Sequence, residues 1–177
     1  MTPVMTPLTS AELAAQPALA ATLLALNNTH AAELSWLTPQ AFARLIDQAW
    51  RAQRIGTADA LLIALDETAD YDSPNYRWFR ARYDRFVYVD RIVVAQTARG
   101  QGLARMLYAQ LIRDAGSAGH RRIVCEVNVD PPNPQSDSFH AALGFEPVAT
   151  ASIHSGAKTV RYMVRSVARS LDRSGND

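Results

Sequence analysis

Apolar residues recur along this chain with two different spacings, and the change from one to the other divides it. Pro3–Leu8, PVMTPL, predicts a short first strand. Ser10–Asn28, SAELAAQPALAATLLALNN, predicts a helix interrupted at Pro17, whose ring cannot continue a helical ladder. Leu37–Gln53, LTPQAFARLIDQAWRAQ, predicts a second helix. Thr38 suits its N-cap and Pro39 its first turn, while Phe42, Leu45, Ile46 and Ala49 fall on one face.

Strand patterns then take over. Ala58–Glu67, ADALLIALDE, predicts a buried strand, and Thr68–Asn75 is polar turn chemistry. Residues 76–83 fit two patterns. Ser73-Pro74 can open a short helix, or Tyr76, Trp78 and Arg80 can alternate along a strand. Arg85–Ala95, RFVYVDRIVVA, predicts a long strand. A glycine turn follows, then a helix over about 101–115 with Leu103, Met106, Leu107, Gln110 and Leu111 inward and Gly116 at its end. Arg121–Val129 predicts another strand, and Asp130–Phe145 a Pro-rich loop and a short helix stopped by Gly144. Phe145–Ile153 and Lys158–Val167 predict a closing hairpin. The order implies an α/β fold with one sheet of mixed direction. The unit strand, glycine turn, helix, strand is a parallel crossover.

Composition narrows the classes. With 177 residues, 48% hydrophobic and 20% charged, the chain suits one globular domain, taken as 1–166, with a polar tail over 167–177. A net charge of +1 argues against a dedicated nucleic-acid binder. Cys125 is the single cysteine, so no disulfide forms within the chain, and a cytoplasmic protein is expected. The apolar run Ala18–Leu26 has no Lys or Arg before it and stops well short of a membrane span, so no membrane association is expected.

The glycine turn, ARGQGLA, carries the first chemistry. Gly100 and Gly102 let backbone come close to a ligand. The first amides of the following helix lack internal partners, and the helix dipole adds positive charge there. Together these favour a phosphate or pyrophosphate, with Arg99 as an added contact. A dinucleotide fingerprint would need Gly or Ala where Arg105 stands, and would sit at the first strand of its βαβ unit. This turn comes after half the chain.

Thr97–Gly102 and its extension RGQGLA, together with Asn133–Phe145, NPQSDSFHAALGF, resemble the paired motifs of the GNAT superfamily of acyl-CoA-dependent N-acyltransferases. Thr97 departs from the family's Arg or Gln at that place. The resemblance is strong over about 86–165. It implies a GNAT-like mixed sheet whose two central parallel strands splay apart, flanked by helices on both faces. It implies acetyl-CoA as acyl donor, with no metal. The pyrophosphate would lie on the amides of Arg99, Gly100, Gln101, Gly102, Leu103 and Ala104. The pantetheine arm would run beside Ile92, Val93 and Val94, whose backbone also polarises the thioester carbonyl, and would bond Asn133. The acceptor would be a primary amine of a small molecule or peptide, and a homodimer is possible, as in many members.

Transfer to an amine needs a base, because an alkylammonium is protonated at neutral pH. It also needs a donor for the oxyanion and an acid for the thiolate. His140 stands where members often carry Tyr, and either supplies the acid, or packs on the donor or caps the helix. Asp90 and Glu126 are carboxylates inside strand-forming runs, where an isolated charge is costly to bury. Each is either a base, acting through water, or half of an ion pair, for Asp90 with an arginine of the 77–91 region. Cys125 sits among apolar residues and reads as a structural thiol. His30, His120 and His154 show no metal-ligand spacing. The acidic stretch Asp66–Asp72 and the arginines 77, 80, 82 and 85 either neutralise each other or rim the acceptor site. Two other functions compete: a non-catalytic acyl-CoA sensor on the same fold, and an RNA-interacting protein centred on Arg77–Arg85.

Overall fold

The computed structural model describes residues 3–168; most of the polar tail expected over 167–177 lies outside the described residues. Seven strands form one sheet in the order β1-β2-β3-β4-β5-β7-β6. The strands are β1 (Met5–Pro7), β2 (Arg51–Ile55), β3 (Ala60–Asp66), β4 (Val87–Val94), β5 (Arg122–Asp130), β6 (Glu146–Ile153) and β7 (Lys158–Ser166). The helices are α1 (Ser10–Ala15), α2 (Pro17–Thr29), α3 (Pro39–Gln48), α4 (Pro74–Arg80), α5 (Leu103–Ser117) and α6 (Pro134–Ala142).

Local chemistry sets most of these boundaries. Thr9, Thr38, Ser73 and Asn133 each accept a backbone N–H of the first turn that follows, which caps α1, α3, α4 and α6. The Ser73 cap resolves the ambiguous segment as helix over Pro74–Arg80. Gln16 and Pro17 divide the first helix in two, as the proline predicts.

One expectation is corrected. The helix predicted over 37–53 ends at Gln48, and Arg51–Ile55 is a strand between β1 and β3. Ala49 has already turned to extended backbone. Ala52, Gln53 and Ile55 are buried by two neighbouring strands, so ladder pairing outweighs the helical spacing that continues past Ala49. A smaller difference concerns α5, which runs through Gly116 to Ser117; Gly119 takes the left-handed conformation beyond it.

Strand alternation gives the sheet two cores. Leu61, Ile63 and Leu65 of β3 face α1–α4, together with Phe86, Tyr88, Val124 and Tyr162. Ala60, Leu62 and Ala64 face the opposite way, with Leu103, Leu107, Tyr108 and Leu111 of α5. Helices therefore cover both faces, as the resemblance implies.

The functional geometry starts at the centre. β4 and β5 are parallel but pair only through Val87↔Ile123 and Tyr88↔Val124. Beyond Tyr88, β4 stays on β3 and β5 stays on β7. The strands splay, and each keeps one unpaired edge toward the gap. Asp90 marks a bulge in β4: Val89 pairs with Ala64 and Arg91 with Ile63, leaving Asp90 as the extra residue. No helix among the described residues is long and apolar enough to cross a membrane.

Candidate active site

A cavity of about 650 Å³ opens where β4 and β5 part. Its two limbs meet at the crotch between Tyr88 and Glu126. One limb follows β4 out to the glycine turn. Ile92, Val93, Val94, Arg99, Gly100, Leu103 and Ala104 line it, with Gly102 and, across the gap, Asn133. Gly100 and Gly102 have φ of +78° and +75°, a region that penalises any residue with a Cβ, and a Cβ at either would meet open space. Gly102 is the N-cap of α5 and offers no side chain to the first amides of the helix. Those donors are left for an anion. Asn133 caps α6 through Oδ1, which fixes its side chain at the rim. Gln101 is exposed and does not line the cavity.

The other limb is built from side chains. Asn75 Nδ2 and the Tyr88 hydroxyl both donate to Glu126 Oε1, at 2.9 and 3.0 Å, and the Tyr162 hydroxyl donates to Asn75 Oδ1 at 3.1 Å. Glu126 keeps some surface toward the cavity, while its Oε2 is occluded and has no hydrogen-bond partner. Burial, and then the nearby charge of Asp90, push its carboxyl up to about 7, against the opposing pull of Tyr88 and Asn75. Asp90 has the arginine partner that the sequence allows. Its Oδ2 lies 3.0 Å from Arg91 Nε, a charge contact without hydrogen-bond alignment. Burial raises Asp90, while Arg91 and the Tyr71 hydroxyl hold it down.

His140 lines the cavity but both its nitrogens are engaged. Nδ1 lies 2.7 Å from the Ser136 carbonyl, which only accepts, so Nδ1 carries the proton. Nε2 is then the acceptor for the Tyr108 hydroxyl at 2.8 Å. Burial lowers the His140 pKa, which keeps the ring neutral. Tyr108, from α5, lines the cavity on the near side, and the buried Cys125 thiol meets the same hydroxyl. Burial raises the Cys125 thiol well above its ordinary value, as suits a structural thiol.

The charged segments before β4 largely satisfy each other. Arg77 pairs with Asp72, Arg85 lies 3.8 Å from Glu67, and Arg82 lies over the Trp78 ring. Asp66, Glu67 and His120 also come together, away from the cavity. There Asp66 accepts from Thr68 and Glu67 from the Phe86 amide, beside Arg85.

Tyr71, Asn75, Tyr88 and Tyr108 are site residues that sequence reasoning missed. Tyr108 carried a signal: it follows the inward-facing Leu107, and a tyrosine in a core needs a partner for its hydroxyl. The others gain meaning only from the strand pairing.

Residues 74–145 match the model of the Acetyltransferase (GNAT) family. No curated protein matches the chain in sequence. Solved structures share the fold at low identity. The ribosomal-protein-S18-alanine N-acetyltransferase of Escherichia coli aligns at 14% identity and TM-score 0.65 over 99% of this chain and 100% of its own. Ard1 of Thermoplasma volcanium aligns at 14% identity and TM-score 0.69, covering 96% of this chain and 100% of its own. NAA60 of Arabidopsis thaliana, in complex with acetyl-CoA, aligns at 13% identity and TM-score 0.64, covering 94% and 100%.

Proposed function

The chain carries a GNAT acetyltransferase domain, and from that premise we propose that it moves an acetyl group from acetyl-CoA directly to a primary amine of a small molecule or peptide. The observation that carries this reading is the parting of β4 and β5 into a cavity with uncapped helix amides at one end and Glu126 at the crotch.

The donor limb fits a pyrophosphate and a pantetheine arm. The amides at the start of α5 offer N–H donors, and Arg99 adds charge. The unpaired edge of β4 along Ile92, Val93 and Val94 offers N–H and C=O groups to an extended amide chain, and a donor for the thioester oxygen as negative charge develops there.

Glu126 serves as base. With its carboxyl near 7, it is substantially ionised at neutral pH and still basic enough to take a proton from an ammonium, directly or through one water. The neutral amine attacks the thioester carbon, the C–N bond forms, the C–S bond breaks, and the acylated nitrogen gives its extra proton to solvent. Tyr108 gives its proton to the departing thiolate and recovers one from solvent, while Glu126 returns its proton to water. His140 acts behind Tyr108, holding the hydroxyl until it turns toward the sulfur. Asp90 raises the basicity of Glu126 through its charge.

Calorimetric titration with acetyl-CoA, against dephosphorylated pantetheine as control, tests the donor half. Binding of acetyl-CoA alone supports it; equal or absent binding overturns it. Thiol release with a panel of alkyl amines and free-N-terminus peptides tests the acceptor half. Binding without amine-dependent release by any of them sinks the proposed transfer.

A further inference from the structure

The segment that joins α2 to α3 forms an outer wall of the acceptor limb: His30, Glu33, Leu34 and Ser35 line the cavity there. Buried apolar contact alone does not hold this wall. Asn128 Nδ2 reaches the Glu33 carbonyl at 3.5 Å and Lys158 Nζ the Ala32 carbonyl at 3.4 Å, both long contacts. The short contacts come from α2 and from below: Asn28 accepts the Leu37 N–H at 2.9 Å and donates to the Leu37 carbonyl at 3.0 Å, at the far end of the wall, and Arg91 holds Ser35. Arg91, whose side chain is 3% exposed, donates through Nη1 to Asn27 Oδ1 at 3.0 Å and the Ser35 carbonyl at 3.1 Å. Its Nη2 donates to Ser35 Oγ at 2.9 Å. Ser35 has a φ of 151°, a conformation unfavourable for a residue with a side chain, and the guanidinium grips its carbonyl and its hydroxyl. Asn27 repeats the hold, donating to the same carbonyl at 3.1 Å.

The other edge of the same guanidinium faces Asp90 at 3.0 Å. The geometry points to Arg91 as a positioning residue that joins two parts of the acceptor limb: it locks the 33–37 wall in place and keeps the Asp90 carboxylate charged beside Glu126. This inference rests on the proposed role of Glu126 as base.

The coupling runs against intuition. Removing a cation usually raises the pKa of nearby acids. Here the cation touches Asp90, and Asp90 in turn repels the charge on Glu126. Without Arg91, a buried Asp90 loses its counter-charge and becomes neutral. Glu126 then loses its like-charged neighbour and titrates lower. Asp90 otherwise faces Tyr71 and Glu126. Glu126 otherwise faces Tyr88 from β4, Asn75 from α4, Tyr162 from β7, and Tyr108 and Cys125 on the α5 side; none of these is a cation.

The test uses the full chain alone, with two readouts that need no substrate. Carboxyl-carbon NMR of labelled glutamate follows the titration of Glu126, assigned with Glu126→Gln, and amide exchange follows residues 33–37. In Arg91→Met the Glu126 midpoint should fall by about one unit, and exchange in the wall should quicken by about tenfold. Arg91→Lys keeps a charge but loses the fork, so it should loosen the wall and leave the midpoint near its original value. Asp90→Asn should lower the midpoint. If Arg91→Met does not fold, the lysine variant tests the wall and Asp90→Asn tests the charge. An unmoved midpoint in Arg91→Met and Asp90→Asn, or unchanged exchange in both arginine variants, overturns the inference. Failure of the wild-type protein to bind acetyl-CoA would instead overturn the proposed function, and these two readouts would stand apart from it.

Discussion

The donor limb is, apart from Asn133 across the gap, one unbroken run of chain, from Ile92 through the glycine turn to Ala104, and it offers a ligand mostly backbone. The acceptor limb gathers Tyr71, Asn75, Tyr88 and Glu126 from separate elements, with Tyr162 behind Asn75, and it offers side chains in a buried network. The difference follows from the task. A pyrophosphate and an amide-bearing arm are met by N–H groups that a strand edge and a helix start already possess. A proton must be taken by a group of tuned basicity, and tuning needs burial, a neighbouring charge and hydrogen bonds from several directions.

The contrast predicts that the acceptor limb is brittle and the donor limb is tolerant. The largest effect is expected at Glu126. Glu126→Gln should lower kcat/KM by about 10²-fold or more, with acetyl-CoA affinity unchanged. In the wild type, kcat/KM should fall as pH drops through about 7, because the base must be ionised. Stability should move the other way. The folded protein holds the Glu126 proton more tightly than the unfolded chain, whose carboxyl titrates near its ordinary 4.5. Its contribution is therefore full below about 4.5 and is lost as pH rises through about 7. Thermal melts from pH 5 to 8 should show Glu126→Gln gaining on the wild type as pH rises. A variant that loses both activity and stability at pH 8 would mark Glu126 as structural.

Next in size is the donor turn. Gly102→Val places a branched side chain at a φ of +75°, which costs about 1–2 kcal/mol, and adds bulk where the ligand must approach the amides. Acetyl-CoA affinity should fall by about tenfold or more, read by calorimetry. The pH profile of whatever turnover remains should not move, because the substitution leaves the acceptor network intact.

Tyr108→Phe comes third. A thiolate is a good leaving group, so loss of its acid should lower kcat by about tenfold, less than a base deletion. The same change strands His140 Nε2, an acceptor whose partner is the Tyr108 hydroxyl, and should destabilise the fold by about 1–3 kcal/mol. His140→Leu should slow turnover less than Tyr108→Phe does. The reverse order would return the acid role to His140.

The same division decides which features are legible in the sequence. The crossover, the glycine turn, the Thr38 cap and the closing hairpin are local patterns, and each is legible because its cause lies within a few residues of it. β2 is hidden because Arg51–Ile55 continues a helical spacing and becomes a strand only between two partners. Asp90 is legible as an oddity, a carboxylate in a strand, but the bulge it occupies depends on its register with β3. Asn75 has the chemistry of a turn residue, and α4 carries it to Glu126, fifty-one positions away in the chain. His140 is legible as a residue in a known place, while the hydroxyl in front of it comes from another helix.

Gln101 should give the smallest effect and tests the contrast most directly. It lies within the ARGQGLA motif, so a view of the motif as a set of ligand-binding side chains would give it weight. The structure leaves its side chain exposed and off the cavity, between two glycines whose value is conformational. What the turn presents is amide hydrogens, and Gln101→Ala keeps every one of them. Acetyl-CoA affinity should therefore stay within about twofold, a change of less than about 0.5 kcal/mol. A loss near that of Gly102→Val would mean that side chains hold the anion after all, and the division between a backbone limb and a side-chain limb would fail where it should be clearest.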